Sequence, residues 1–482
     1  MQNDAWRSEC RFKVEILVLD FALNIIKTLK GAFSVSVLFL LIIASSCSDE
    51  ESIYGRLSSE ELVPAITNGY ISVSISANGN YEHTRAASPM GGEDGGPMGG
   101  EDGNGREDAF ENEYQINNLT VLVYSGDISS SDATITKAFY FPYPLGTYVD
   151  GTSPVQKVYT FTQPIDNLEG IDENTPYHLI AVCNAGNLST LEGKKISVVR
   201  DHLISNVCSS KRTDFVMSSE NDKATIRFDF SESNIVEPTE PVVVERLAAR
   251  IDFETDKQYN ETTDGGYYEY DVVEGSSDDK FRLRSIQVKN KLTSGTYLIK
   301  RVTTDTNINS TIKYLGDETE DATVDGKATN YVLDPWTTGK ISPTMPEGLT
   351  YESTDFLPVQ PVIAGKGYFI LDYTMENTLT VDAPLATYAT ALVFKGDYYV
   401  ASNGETREGV EYTYYIRHSD PENAVDAGGE VHCMKYGIVR NTIYRVKITK
   451  VNPMDVSTEN ATLSLQIKVK NWKKTDHVEI VM

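Results

Sequence analysis

The chain has 482 residues, with 43 Lys and Arg against 70 Asp and Glu, for a formal charge of −27 at neutral pH. So acidic a chain argues against nucleic acid as a partner and against docking of the protein body on anionic lipid, since both need clustered Lys and Arg. Hydrophobic residues at 40%, with 28 Tyr beside 3 Trp, 34 Gly and 18 Pro, argue against disorder throughout and favour strands and turns over a helical bundle.

Lys27 and Lys30 precede a run of small and apolar residues from Gly31 to Ala44. At about 14 residues it falls short of the roughly 20 that span a bilayer and suits the core of an export signal. The run ends in Ala44-Ser45-Ser46-Cys47, then Ser48-Asp49-Glu50-Glu51. Small residues before a cysteine resemble a bacterial lipoprotein signal, in which Cys47 is acylated and becomes the new N-terminus. The acidic stretch beyond it resembles a surface-export tag. The alternative is a soluble secreted protein in which Cys47 is incidental. Residues 1–26 are an odd prefix for such a signal, as expected of a start codon assigned too far upstream, and are set aside.

Ile71-Ser72-Val73-Ser74-Ile75-Ser76 alternates with period two, the pattern of a half-buried strand. Beyond Thr84-Arg85-Ala86, the octapeptide at 89–96 recurs with one change at 97–104. Its glycines cost too much backbone entropy to order, so 86–108 reads as a Gly-rich acidic flexible segment. Its carboxylates do not stand at EF-hand or glycine-rich β-helix spacing, and a solvated linker is the plainer reading than a calcium site. Strands are predicted at Leu119–Tyr124, Val158–Phe161, Tyr177–Cys183 and Ala224–Phe230, and a short helix at Ile196–Val207. Pro238-Thr239-Glu240-Pro241 breaks the pattern before a long strand, Val242–Phe253. Further strands are predicted at Phe281–Val288, Thr296–Val302, Tyr368–Tyr373, Thr390–Lys395, Tyr398–Ala401, Val410–Arg417, Thr442–Val451, Leu463–Val469 and Val478–Val481. Strands separated by turn clusters describe a mainly β fold of sandwich type. The organisation expected is a signal region, 1–46; a lipidated propeptide with a removable strand, 47–85; the flexible segment, 86–108; and β-sandwich domains at 109–240 and 241–482.

Chemistry is hard to find. No GxSxG, HExxH, P-loop or dinucleotide fingerprint occurs, and six scattered His, with only His432 beside Cys433, make no zinc ligand set. No catalytic residue, metal or cofactor is expected, although a glycosidase carboxylate pair needs no local motif. Cys183, Cys208 and Cys433 remain after Cys47, too few for a disulfide framework, and read as buried free thiols.

Four segments nevertheless fall in an informative order: the alternating strand with Thr84-Arg85-Ala86; Leu179-Ile180-Ala181-Val182-Cys183-Asn184-Ala185-Gly186; Val244-Glu245-Arg246-Leu247-Ala248-Ala249-Arg250; and Val439-Arg440-Asn441-Thr442-Ile443-Tyr444-Arg445-Val446, followed by Leu463 to Trp472. Together they resemble the fimbrillins, or type V pilins, particularly shaft subunits of the minor-fimbrium type, over about 47–482. The resemblance implies two transthyretin-like β-sandwich domains, each with few short helices. It further implies an outer-membrane lipoprotein precursor, anchored in the membrane by its lipid, that ends in a fimbrium on the cell surface. An arginine-specific surface protease cuts between Arg85 and Ala86, with Arg56, which precedes the strand, and Arg106, beyond the glycine repeat, as rivals; a removable strand carrying Ile71, Val73 and Ile75 leaves, and a neighbour's strand enters. The candidate donor lies in 463–482 and offers Leu463, Leu465, Ile467 and Val469 on one face. The partners implied are further copies of the chain, other fimbrial subunits and the protease. Two alternatives stay open. One is a monomeric glycan-binding or adhesin lipoprotein using Tyr267-Tyr268 or Tyr398-Tyr399, which are more often cross-strand pairs. The other is a tip or anchor subunit of the same fimbrium.

Overall fold

Strands dominate the computed structural model. It describes residues 70–76, 106–107, 109–144, 146–149, 157–165, 168–220, 222–229, 235–239, 242–263, 265–272, 278–293, 295–303, 312–315, 323–324, 327–328, 331–332, 350–378, 385–416, 436–453 and 463–472. Among these, no helix is long and apolar enough to cross a membrane.

The first sheet is ten-stranded over the described residues. Its main path runs Ile135–Phe141, Leu119–Tyr124, Pro176–Cys183, Met217–Ser219, Val242–Arg246, Tyr70–Ser76, Lys157–Pro164, Gly146–Val149. A second, five-stranded sheet runs Arg106–Glu107, Leu463–Trp472, Thr442–Val451, Ala248–Glu254, Tyr368–Met375. A third centres on Lys280–Lys289, Ala391–Val400 and Glu405–Tyr415. Two apolar clusters fill the interior. The first gathers Ile71, Val121, Phe161, Leu179 and Val244, and it also takes in Met375 and Ile443. In the second, the ring of Phe253 lies 5.6 Å from Phe369, 5.9 Å from Phe394 and 6.4 Å from Tyr268, so that three strands interlock on one side chain.

The strand expected as Val242–Phe253 is two strands, Val242–Arg246 and Ala248–Glu254, in different sheets. The chain changes sheet at Leu247, whose N–H donates to the Val216 carbonyl, while the Ala248 carbonyl accepts from Asn441. The helix expected over 196–207 stops after Ile196–Arg200. Leu203–Ile204 pairs with Thr296–Tyr297 instead, and the His202 carbonyl accepts from Leu298. Tertiary pairing thus outweighs a helix propensity already weakened by β-branched residues. That pairing also shortens the strand expected at 296–302 to Thr296–Tyr297, with Arg301–Thr303 separate.

The strands expected at 390–395 and 398–401 are one, Ala391–Val400, kinked where its register shifts between Gly396 and Tyr398. A Cβ at Gly396 would collide with the Arg282 carbonyl, so glycine is required at this bulge. Ile135–Phe141 was not expected, although it alternates buried and half-buried positions along its whole length. The segment Val478–Val481 lies outside the described residues. Cys183 is buried, Cys208 is half-buried, and both are free thiols.

Burial raises the phenol of Tyr268 to about 12 and moves those of Tyr270, Tyr373, Tyr412 and Tyr444 upward from the ordinary 10.0. Above pH 10 these phenols ionise in the unfolded chain but stay protonated when folded. The unfolded state then binds fewer protons, and stability falls as pH rises. In an alkaline titration followed at 295 nm, these tyrosines are expected to ionise together with the loss of the β circular dichroism signal. Their ionisation well before unfolding would contradict the packing described.

Candidate functional site

The strand Tyr70–Ser76 sits inside the first sheet, not at its edge. It runs antiparallel to Lys157–Pro164 along its full length, from Tyr70 opposite Pro164 to Ser76 opposite Val158. On its other side it pairs parallel with Ile235–Val236 and then with Val242–Val243. The alternation read from the sequence is obeyed: Ile71, Val73 and Ile75 are each 0% exposed. The face between them is not wet throughout, since Ser72 is buried and its hydroxyl accepts from Thr162 at 3.1 Å. Burial of three aliphatic side chains stabilises by roughly 5–9 kcal/mol. In sequence, the strand is joined to the described residues that follow it through 77–105, which contain Arg85. Cys47, Arg85 and Ala86 lie outside the described residues.

The candidate donor, Leu463–Trp472, occupies the second sheet of its own chain. It pairs antiparallel with Thr442–Val451, with Leu463 opposite Val451, Leu465 opposite Ile448, Ile467 opposite Val446 and Val469 opposite Tyr444. Leu465 is buried in the second core. Among the described residues, the outer edge of this strand pairs with Arg106–Glu107, in parallel, at Asn471 and Trp472. The removable strand and the candidate donor therefore lie in different sheets and are not brought together within one chain.

The other segments that carry the family resemblance serve the scaffold. Asn184 closes its strand with φ of 60°, in the left-handed region that Asn tolerates. Its amide donates to the carbonyls of Gln115 (2.7 Å) and Phe215 (2.9 Å). Segments 244–250 and 439–446 meet in a buried polar cluster. Arg250 donates to Asp252 at 3.0 Å and to both oxygens of Glu113 at 3.1 Å. Arg445 donates to Asp252 at 2.8 Å, and Tyr373 donates to Glu113 at 2.6 Å. Arg246 donates to the Glu113 carbonyl at 2.6 Å and to Asn441 at 3.2 Å.

Among the described residues, three guanidiniums thus meet two carboxylates. Aromatic faces also lie against them, with Arg445 lying 3.4 Å from the ring centre of Tyr368 and Arg250 lying 5.3 Å from that of Phe110. Burial pushes Arg246 down to about 10 despite Glu113. Burial also opposes the charge on Arg250, but Asp252 and Glu113 outweigh it and move that group upward. A second buried set joins Arg440 to Glu376 at 2.6 Å and to the Tyr297 carbonyl at 2.7 Å.

Glu113, Asp252 and Glu376 were not singled out from the sequence. The available signal was the pair of arginines, together with Glu245 and Asp252, in the largely apolar run 242–253, since buried charge demands a partner. The tyrosine pairs follow the cross-strand reading. Tyr268 and Tyr398 are buried, and Tyr267 carries the guanidiniums of Arg282 and Arg284 at 5.3 and 5.1 Å. Among the described residues, no group of His, Cys, Asp and Glu has the arrangement to hold a metal ion.

No family model and no curated protein matches the chain. Among solved structures it is similar to a candidate cell adhesion protein from Parabacteroides distasonis (16% identity, TM-score 0.44, covering 86% of this chain and 100% of that one). It is also similar to the C-terminally truncated tip fimbrial protein Mfa3 of Porphyromonas gingivalis (12%, 0.38, 84% and 100%). A third is the fimbrial anchor protein Mfa2 of the same organism (9%, 0.26, 84% and 98%). Likeness at this level assigns no function.

Replacing Glu113 by Ala leaves buried guanidiniums short of a counter-charge, a change that costs about 3–5 kcal/mol. The exposed neighbour Glu111→Ala is expected to change stability by no more than about 0.5 kcal/mol. Urea unfolding midpoints are expected to separate the two, and equal midpoints would remove the cluster from its bracing role.

Proposed function

We propose that this chain is a structural, non-catalytic subunit of a cell-surface fimbrium, delivered as a lipoprotein through Cys47 and polymerised by strand replacement. The observation that carries the reading is the removable strand. It holds an interior place in a sheet through hydrogen bonds and buried aliphatics, yet its covalent link to the body passes through a segment containing Arg85. A cut after Arg85 turns an integral strand into a separate peptide. Its departure bares two sheet edges and an apolar groove, a state that invites strand addition.

The order of the family-like segments supports assignment as a shaft subunit, and the donor comes from 463–482 of the next copy. Donation by Leu463–Val469 requires these residues to give up their pairing with Thr442–Val451, so exchange is expected to be slow and to need the vacated groove as its driving force. A neighbour at the surface supplies the incoming strand, and the lipid holds the precursor there until the cut.

Treatment with an arginine-specific protease is expected to give an N-terminus at Ala86, ladders on a gel and filaments by electron microscopy. Arg85→Ala protein is expected to stay monomeric under the same treatment. Filaments from Arg85→Ala protein equal to those of the parent would overturn the trigger.

The donor assignment is tested separately with Ile467→Asp, since a carboxylate at a central apolar position opposes entry into an apolar groove. Where circular dichroism shows both variants folded, Ile467→Asp is expected to lose filaments and Gln466→Asp to keep them. Equal filaments would end the assignment.

A further inference from the structure

We infer that a cavity beside the strand Tyr368–Met375 binds a neutral monosaccharide unit. The cavity lies between the loop at 205–208, the paired strands Lys291–Leu292 and Tyr351–Glu352, and residues 373–375. Its volume is about 430 Å³, within the roughly 300–1,000 Å³ of small-molecule sites.

The observation that points to a ligand is Thr374. It is 2% exposed, lines the cavity, and its hydroxyl has no hydrogen-bond partner among the described residues. A buried hydroxyl without a partner is costly, and a native structure that keeps one generally gives it something to bind.

The remaining lining sets the ligand class. Ser205, Asn206, Thr293 and Thr350 offer hydroxyl and amide groups that both donate and accept, the complement of a ring of sugar hydroxyls. Val207, Leu292 and Met375 add an apolar flank for the C–H face of such a ring. The cation in the lining, Lys291, is already bonded to Asp372, which Arg212 also approaches at 3.7 Å. No ammonium is therefore left over for an anion, and a chain carrying −27 repels anions at long range. Cys208 in the wall stays a thiol at neutral pH, since burial, with Asp372, pushes it up to about 11. The site therefore holds its ligand non-covalently, by hydrogen bonds. Its residues are separate from the removable strand and the candidate donor, so the inference stands or falls independently of polymerisation.

The test is saturation-transfer NMR on the purified full chain with glucose, galactose, mannose, fucose, N-acetylglucosamine, N-acetylgalactosamine and, as the anionic comparison, N-acetylneuraminic acid. At least one neutral sugar is expected to receive saturation. Thr374→Val keeps the side-chain shape and removes the hydroxyl, and it is expected to weaken that sugar about five- to tenfold. Thr374→Ser is expected to retain binding, as is Thr413→Val at an exposed position in another sheet. If Thr374→Val does not fold, Asn206→Ala in the wall serves as the reading variant, with the same loss expected. Absence of saturation for every neutral sugar, equal binding by the reading variant and the parent, or preference for the anionic sugar would each overturn the inference.

Discussion

The buried carboxylate of Glu113 is the tie on which the second half of the structure depends. It lies on the short turn Glu111–Glu113, and it binds Arg250 in one strand and Tyr373 in another. Arg250 in turn shares Asp252 with Arg445 of a third strand. Three strands of the second sheet and the turn Glu111–Glu113 are thereby locked by one hydrogen-bonded charge set. Buried ion pairs are weak sources of net stability, but removal of one partner strands the rest, which makes such a set a strict register device. None of its members lies in Tyr70–Ser76.

That separation bears on the proposed strand replacement. The strand Tyr70–Ser76 contributes to the first core through aliphatic burial and backbone pairing, which act in common with any strand of similar pattern. The brace around Glu113 uses charge geometry that no generic strand reproduces. A body braced by specific contacts can tolerate exchange of one strand held by generic ones. The donor does not start free, because Leu463–Trp472 already completes the second sheet. In the proposed exchange, two placements of similar chemistry would compete, with the vacated groove and the number of apolar residues entering it as the bias.

The sequence made the alternating strands legible. Ile71, Val73 and Ile75 face the core as their period of two required, and the ends of Leu119–Tyr124 and Thr442–Val451 fell where turn residues marked them. The sheet change at Leu247 was not legible, since no Gly or Pro marks it. Only long-range hydrogen bonds to Val216 and Asn441 place the break. The short helix ended early for the same reason: its last turn was claimed by a distant pair of strand residues. Arg246, Arg250 and Arg445 were visible as members of recognisable segments, but their meaning depended on Glu113 and Tyr373, which are remote in sequence, and on Asp252, which is near Arg250 but remote from Arg445. The cavity at Thr374 had no local signature, because its walls come from four separate stretches of chain.

The most direct measurement is a filament structure at side-chain resolution, read at the place beside Lys157–Pro164. Strand replacement predicts density there for residues from a neighbouring copy, with the subunit beginning at Ala86 and its own Tyr70–Ser76 gone. Density for the subunit's own Ile71, Val73 and Ile75 in that place would contradict the account, since the groove would never have opened.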